Sequence, residues 1–164
     1  MSDPLRIGVV CYPSLGGDHA AAAELARGLA HRGHRVHLIA TALPARAAGD
    51  GAIHFHPVEV PAYPVLEHGP YESALAGRII EVARQEGLDV LHAHYAVPHA
   101  VSALLARQVL GARAPKTVIT LHGTDVTRLG PHPNLRVRGR RRGHRALEVP
   151  ARAGCRGPRD ARPR

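Results

Sequence analysis

Three short segments carry side chains that could do chemistry. The first is Cys11 to Asp18, which holds the glycine pair Gly16-Gly17; the others are Leu91 to His99 and Thr120 to Asp125. Paired glycines let a backbone approach a ligand closely, and the N–H groups of a following helix start can bind an anion. Imidazole and hydroxyl groups in the other two segments can position a polar substrate or transfer protons. A structural tight turn remains an alternative for the glycine pair.

The histidines of the second segment leave two interpretations open. His92, His94 and His99 could bind a metal, and His92 and His94 would point the same way along an extended strand. However, no carboxylate or cysteine stands nearby at the customary ligand spacing, so we expect no metal site. A hydrogen-bonded structural role is the alternative for each histidine.

Cysteine usage adds little chemistry. The chain has two cysteines, Cys11 and Cys155, far apart in sequence, which is neither a disulfide framework nor a cysteine-rich zinc site. Cys11 ends an apolar run without an evident base beside it. We therefore expect a buried thiol there rather than a nucleophile.

The elements that would position these segments alternate between strand and helix. Apolar runs predict strands, and apolar residues at helical spacing predict helices between them. Strands separated by such helices indicate an α/β fold with a Rossmann-like parallel sheet, whose strand carboxyl ends carry any site. The predicted strands are 7–11, 35–41, 53–60, 89–93 and 117–121, and the predicted helices are 19–31, 72–85 and 98–110.

Length and composition limit the class of protein. The chain has 164 residues, of which 45% are hydrophobic, with no Trp and one Phe. That is enough for one domain with an aliphatic core. No apolar stretch is long enough to cross a membrane, and Met1 to Arg6 lacks the features of a secretory signal. We expect a soluble cytoplasmic protein.

Charge divides the chain into two parts. The formal net charge is +9, and it belongs entirely to 136–164, which is rich in Arg, Gly, Ala and Pro. Such a segment buries too little apolar surface to fold, so we predict a disordered tail after a domain at 1–135. A shifted reading frame of a GC-rich gene would produce this composition. Alternatively, the tail is a basic arm that binds nucleic acid through its phosphates, without aromatic residues for base stacking.

Four segments together resemble the N-terminal domain of family 4 glycosyltransferases of GT-B fold. They are CYPSLGG, RGHRVHLIAT, LHAHYAVPHA and TLHGTD, and the resemblance covers about Leu5 to Leu129. The members it most resembles are retaining enzymes of bacillithiol biosynthesis, which transfer GlcNAc from UDP-GlcNAc to the hydroxyl of L-malate. The resemblance implies these small-molecule substrates, with no cofactor, no metal and no membrane partner.

The resemblance also implies roles for particular residues. Backbone amides of Gly16 and Gly17 would face the donor diphosphate. Tyr95 and Thr120 match positions that contact the acceptor. His122 matches the residue that lies near the transferred sugar, which makes it the catalytic candidate.

Asp18 departs from the family pattern. The first loop of the family usually reads GGSG, with the serine in the acceptor pocket, whereas this chain reads Gly17-Asp18-His19. A carboxylate at Asp18 would repel a dicarboxylate acceptor in a poorly solvated site. Asp18 is thus an acceptor-binding candidate that disfavours a dicarboxylate acceptor such as malate, and helix N-capping is its alternative role.

A second departure concerns the extent of the chain. Enzymes of GT-B fold bind the nucleotide sugar with a second Rossmann-like domain, for which 164 residues leave no room. We expect an inactive fragment with one uncovered sheet edge and a tendency to associate. The alternative is a small α/β binding protein whose basic C-terminal arm contacts nucleic acid.

Overall fold

The computed structural model describes residues 3–13, 18–49, 51–62, 64–65, 67–125 and 127. Within this part of the chain, strands and helices alternate as predicted. The predictions for Gly16, Gly17 and the segment 136–164 lie outside the described residues.

The described strands form one parallel sheet. Its order is β3-β2-β1-β4-β5, and each neighbouring pair is parallel, which confirms the predicted α/β Rossmann-like fold. β1 and β2 are buried on both faces, as continuous apolar runs in a parallel sheet usually are. The strands are β1 (Arg6–Val10), β2 (Arg35–Ala40), β3 (Ile53–Pro57), β4 (Val90–His94) and β5 (Lys116–Thr120).

Helices cover both faces of the sheet. The helices are α1 (Asp18–His31), α2 (Tyr71–Glu86) and α3 (Val101–Leu110). α1 packs with one set of alternating strand residues, whereas α2 and α3 pack with the other set, which gives two buried apolar clusters. A right-handed crossover between parallel strands produces this three-layer arrangement.

The face that α1 turns to the sheet consists of alanines. Ala22, Ala23 and Ala26 are fully buried against a cluster that includes Val9 and Leu38. Small side chains allow close approach of a helix to a sheet, and alanine also has the highest helix propensity. The low aromatic content of the chain is consistent with this closely packed aliphatic core.

Two elements differ from the sequence prediction by three residues at one end, whereas the others agree to within one residue. β3 ends at Pro57 rather than at Val60, because its partner β2 ends at Ala40, whose carbonyl accepts a last hydrogen bond from the N–H of Val58 at 2.9 Å. α3 begins at Val101 rather than at Pro98, after a wide turn over Ala96–Ala100. Val97 within that turn is extended, as the residue before a proline prefers to be.

One edge of the described sheet exposes apolar side chains. β5 is the outermost strand there, and its Val118 is 47% exposed. On α3, which leads into β5 and covers the other face of the sheet, four aliphatic side chains are also exposed: Val101, Leu104, Leu105 and Val109. Across the described residues, none of the helices has the length and apolar character needed to span a bilayer.

Candidate functional site at the carboxyl ends of β4 and β5

The pairing of β4 with β5 brings three predicted site residues together. His94 stands opposite Thr120 in the parallel register. The backbone N–H of Tyr95 donates to the carbonyl of Thr120 at 2.9 Å, so the pairing continues one residue past β4. The rings of Tyr95 and His122 then stack with centroids 4.2 Å apart. Tyr95, Thr120 and His122 therefore share one edge of the sheet, where parallel α/β folds place their ligands.

Hydrogen bonds between strands fix the imidazoles of this edge. Nε2 of His92 is hydrogen-bonded to the Thr120 hydroxyl at 2.7 Å, and Nδ1 of His94 to Nε2 of His122 at 3.1 Å. The rings of His92 and His94 stack at 4.6 Å, which confirms that the two side chains point the same way. Each β4 histidine thus holds one polar side chain of the β5 segment.

The backbone of Tyr95 lies in the left-handed region. Its φ is 78°, and among the described residues no other non-glycine residue has a positive φ. Bulky side chains rarely adopt this conformation, and such strained positions are common at functional sites. The conformation turns the chain sharply at the end of β4 and lays the Tyr95 ring against His122.

Two further tyrosines, Tyr12 and Tyr71, extend the aromatic surface. Tyr12 follows β1 and lies 5.5 Å from Tyr95 and 4.3 Å from His99, measured between ring centroids. Tyr71 begins α2 and stacks with Tyr12 at 6.5 Å. The sequence analysis assigned no role to either tyrosine. Tyr12 could have been found from its place beside the glycine pair in a strand-end loop, whereas nothing in the sequence connects Tyr71 to this edge.

His99 connects the wide turn to this surface in a defined tautomer. Its Nδ1–H donates to the carbonyl oxygen of His94. Nε2 of a neutral His99 is then an acceptor, so the Tyr71 hydroxyl donates to it at 3.1 Å. These bonds give His99 the hydrogen-bonded structural role that the sequence left open.

A buried carboxylate supports the His122 segment. The backbone N–H of His122 donates to Oδ2 of Asp125 at 2.9 Å, and the Asp125 N–H donates to the His122 carbonyl at 3.0 Å. Asp125 is 5% exposed. The reciprocal bonds close a tight turn that fixes the backbone beneath the His122 ring, a role that the sequence analysis did not assign.

Burial keeps the β4 imidazoles neutral. It lowers the pKa of His94 to about 3, with smaller contributions from the neighbouring His92 and His122. Burial also lowers the pKa of His92. Nε2 of His94 is buried and lacks a hydrogen-bond partner among the described residues. Both histidines therefore position neighbouring groups at neutral pH as uncharged rings.

The structure says less about the other predicted site residues. Asp18 is the first residue of α1, while Gly16 and Gly17 lie outside the described residues. Their roles remain predictions. His92, His94 and His99 all have hydrogen-bond partners within the site. Among the described residues, a different group of side chains is close enough together to hold a metal ion.

Cys11 lies beside the site but is unreactive. Its side chain is 1% exposed, and burial raises the pKa of its thiol to about 12. A thiol is a weak nucleophile until it ionises. The structure thus supports the interpretation of Cys11 as a buried thiol at the end of β1.

The fold is a Rossmann-like α/β domain that gathers polar and aromatic side chains at its strand ends, the edge where such folds bind ligands. The model of Glycosyltransferase Family 4 matches residues 15–153 of this sequence. The chain belongs to glycosyltransferase family 4, as its four sequence segments predict. The match continues beyond Leu135, into the arginine-rich segment.

Two relatives illustrate the similarity. N-acetyl-alpha-D-glucosaminyl L-malate synthase of Bacillus anthracis is 50% identical over 132 residues, which are 80% of this chain and 34% of the relative. The chain thus spans about a third of the length of that relative. A solved glycosyltransferase from Rickettsia africae shares the fold, with a TM-score of 0.56 and 20% identity over 74% of this chain and 30% of the other.

Proposed function

We propose that this chain supplies the acceptor-side domain of a retaining glycosyltransferase that moves GlcNAc from UDP-GlcNAc to the hydroxyl of L-malate. The observation that carries the proposal is the convergence of Tyr95, Thr120 and His122 at one sheet edge in a chain 50% identical to a GlcNAc-malate synthase. A cytoplasmic location and the use of no metal or other cofactor in the reaction are parts of the same proposal. Family membership favours it over a nucleic-acid-binding arm on a small α/β protein.

Hydroxyl groups would bind the acceptor. Tyr95 and Thr120 can donate hydrogen bonds to a carboxylate without adding a mobile charge. His92 holds the Thr120 hydroxyl at 2.7 Å, which limits its rotation before a substrate arrives. Preorganised donors of this kind lose little entropy on binding.

His122 would act on the transferred sugar. Its ring is held by stacking on Tyr95 and by the hydrogen bond to His94, and its backbone is held by Asp125. A group fixed in this way can donate to a sugar hydroxyl or carbonyl as charge develops in the transition state. The departing diphosphate would be stabilised by the backbone amides of Gly16 and Gly17.

The proposal is tested in a chimera, because this chain spans about a third of the synthase. Residues 5–125 would replace the matched segment of the Bacillus anthracis enzyme, and malate-dependent UDP release would be measured. We expect activity in the chimera and a ~10²–10³-fold lower kcat for His122→Ala, the range seen when one preorganised transition-state donor is removed. Thr120→Val should raise KM for malate more than it lowers kcat.

His54→Gln is the matched control, since His54 is exposed on β3, away from the β4–β5 edge. It should leave kcat and KM unchanged. A folded chimera in which His122→Ala and Thr120→Val have no effect would refute the assignment of the site.

The identity of the acceptor also requires a test, because the carboxylate of Asp18 departs from the family pattern. The same chimera should be offered malate, an uncharged hydroxyl acceptor and a cationic one. If Asp18 caps α1 without facing the acceptor, malate should be preferred, and Asp18→Ser should change its KM little. A preference for uncharged or cationic acceptors that changes to malate in Asp18→Ser would show that malate is not the acceptor. The proposal of a glycosyltransferase would then still hold.

The isolated 164-residue chain should show no measurable transferase activity. Transfer requires the donor and the acceptor to be held together. In our proposal this chain supplies the acceptor-side domain. Release of UDP above background from UDP-GlcNAc plus malate, with the purified chain alone, would contradict this expectation.

A further inference from the structure

A second group of histidines lies on the other side of β1 from the strand-end site. His37 belongs to β2, and His54 and His56 belong to the edge strand β3. His37 stands opposite His54 in the parallel register. Because side chains alternate along a strand, His54 and His56 share the sheet face of His37, which α2 covers. The ring centroids of both β3 histidines lie 5.2 Å from that of His37.

Glu86, the last residue of α2, completes the group. Nδ1 of His37 and Nε2 of His56 are 3.0 Å apart, and Nε2 of His37 lies 4.0 Å from Oε2 of Glu86. One ring nitrogen from each histidine and one oxygen of Glu86 all lie within 4.8 Å of one another. His37 is 1% exposed, so its ring is confined between β3 and α2.

We propose that His37, His56 and Glu86 form a binding site for a divalent transition-metal ion of the Zn²⁺ class. Two imidazoles and one carboxylate are a common ligand set for such ions, with the fourth position open to water. The sequence alone predicts no metal site here, because the three ligands are far apart in the chain. These three ligands come from β2, β3 and α2, and only the fold brings them together.

Small movements would complete the coordination. Zinc–ligand distances of about 2.0–2.2 Å require ligand atoms roughly 3.5 Å apart. The three ligand atoms lie within 4.8 Å of one another, so they must approach by up to about 1 Å, and the ion would replace the His37–His56 hydrogen bond. Glu86 is half-buried at a helix end, where its side chain can rotate. The guanidinium of Arg78 acts on His56, and its pairing with Glu81 at 2.6 Å offsets its repulsion of a cation.

A metal at this position would join an edge strand to a helix. β3 contributes His56 from the end of the sheet, and Glu86 ends the helix that leads into β4. Ligand binding to the folded state alone raises stability by mass action. We therefore assign a structural role to the ion. Removal of the ion should leave the side chains of the strand-end site in place.

Zn²⁺ alone is the probe that tests this site. Isothermal titration of the metal-free full chain should show one tight site and a higher melting temperature with Zn²⁺ that EDTA reverses. Co²⁺ should give the visible absorption of a tetrahedral complex. Glu86→Gln and His56→Gln should each weaken Zn²⁺ binding at least ~10-fold, since even residues that only support ligands change affinity by that much.

Matched controls separate this site from the other histidines of the chain. His54→Gln alters a neighbouring histidine that is not a ligand, and Glu72→Gln alters a glutamate in the first turn of α2, at the other end of that helix from Glu86. Both variants should leave the affinity within about twofold, a smaller change than the loss of a ligand produces. His92→Gln should also leave it unchanged. Because Glu86 is half-buried, the Glu86→Gln variant should stay folded. It therefore tests the metal site even if the His56→Gln variant unfolds.

Three results would overturn the proposal. One is the lack of a 1:1 Zn²⁺ complex with the folded chain. Another is an affinity unaffected by Glu86→Gln. The third is an affinity that falls with His92→Gln instead, which would place the ion at the strand-end site.

Discussion

His94 connects burial to pH at the scale of a single residue. Its pKa is lowered to about 3 by burial, whereas an unfolded histidine titrates near ~6.5. Below pH ~6.5 the unfolded chain therefore binds a proton that the folded chain does not, and the free energy of unfolding falls as pH falls towards about 3. Above pH ~6.5 this contribution to stability is fully present.

We expect His94→Gln to flatten this dependence on pH. Urea unfolding at several pH values between 7 and 4 measures the slope of unfolding free energy against pH in the wild type and the variant. His92 also has a lowered pKa, so part of the slope should remain. Gln108→Ala, on the exposed face of α3, removes no titratable group and is the control that should keep the wild-type slope. Equal slopes in wild type and His94→Gln would contradict the assignment.

Tyr95 and His122 show what could be predicted about the site. Their convergence followed from the sequence, because residues just after neighbouring parallel strands must meet at one edge. The left-handed φ of Tyr95 could not be foreseen, since bulky residues rarely adopt it. Nor could the contact of Tyr71 with His99, which depends on how α2 sits against the wide turn.

At the scale of elements, the central strand depends on a glycine. A Cβ built on Gly8 of β1 would lie 2.7 Å from Leu88 Cδ1 and 3.2 Å from Leu91 Cδ1. Both leucines are buried in the α2–α3 core and have little room to move. We expect Gly8→Ala to destabilise the chain by about 1–3 kcal/mol, the usual effect of overpacking.

Gly28→Ala is the matched control for this prediction. Gly28 lies in α1, and a Cβ there would meet no atom within 4 Å. Alanine should stabilise that helix by up to ~1 kcal/mol, because glycine is the poorer helix former. Chemical denaturation of both variants measures the difference, and a Gly8→Ala chain as stable as the wild type would contradict the close packing of β1.

Element boundaries were predicted well where local signals were strong. The run of apolar residues fixed β1, and Gly87, with its left-handed φ of 63°, ends α2 where the sequence indicated. β3 was predicted too long because apolar Val58 and Val60 resemble strand residues, although β2 offers no partner beyond Ala40. Pairing between strands, rather than propensity, set that end.

At the scale of the whole molecule, the exposed apolar surface of α3 has a consequence for solution behaviour. Leu105 and Val109 are 45% and 60% exposed on α3, the helix that leads into the outermost described strand, β5. Exposed apolar patches beside a sheet edge favour association. We expect the chain to self-associate at micromolar concentrations, and Leu105→Glu with Val109→Glu to reduce that association.

Sedimentation velocity over a range of concentrations would measure the effect. Val65→Glu serves as the control, because Val65 is 81% exposed in a loop and belongs to neither α3 nor β5. A wild-type chain that stays monomeric throughout the range would contradict this expectation.

The alanine face of α1 also determines how far that helix stands from the sheet. The height of α1 above β1 and β2 is set by methyl groups such as that of Ala26, which has no exposed surface. A leucine there would act as a spacer and move the helix away from the strands. The position of α1 relative to the sheet is thus adjustable by side-chain volume in the core, without any change to a residue at the strand ends.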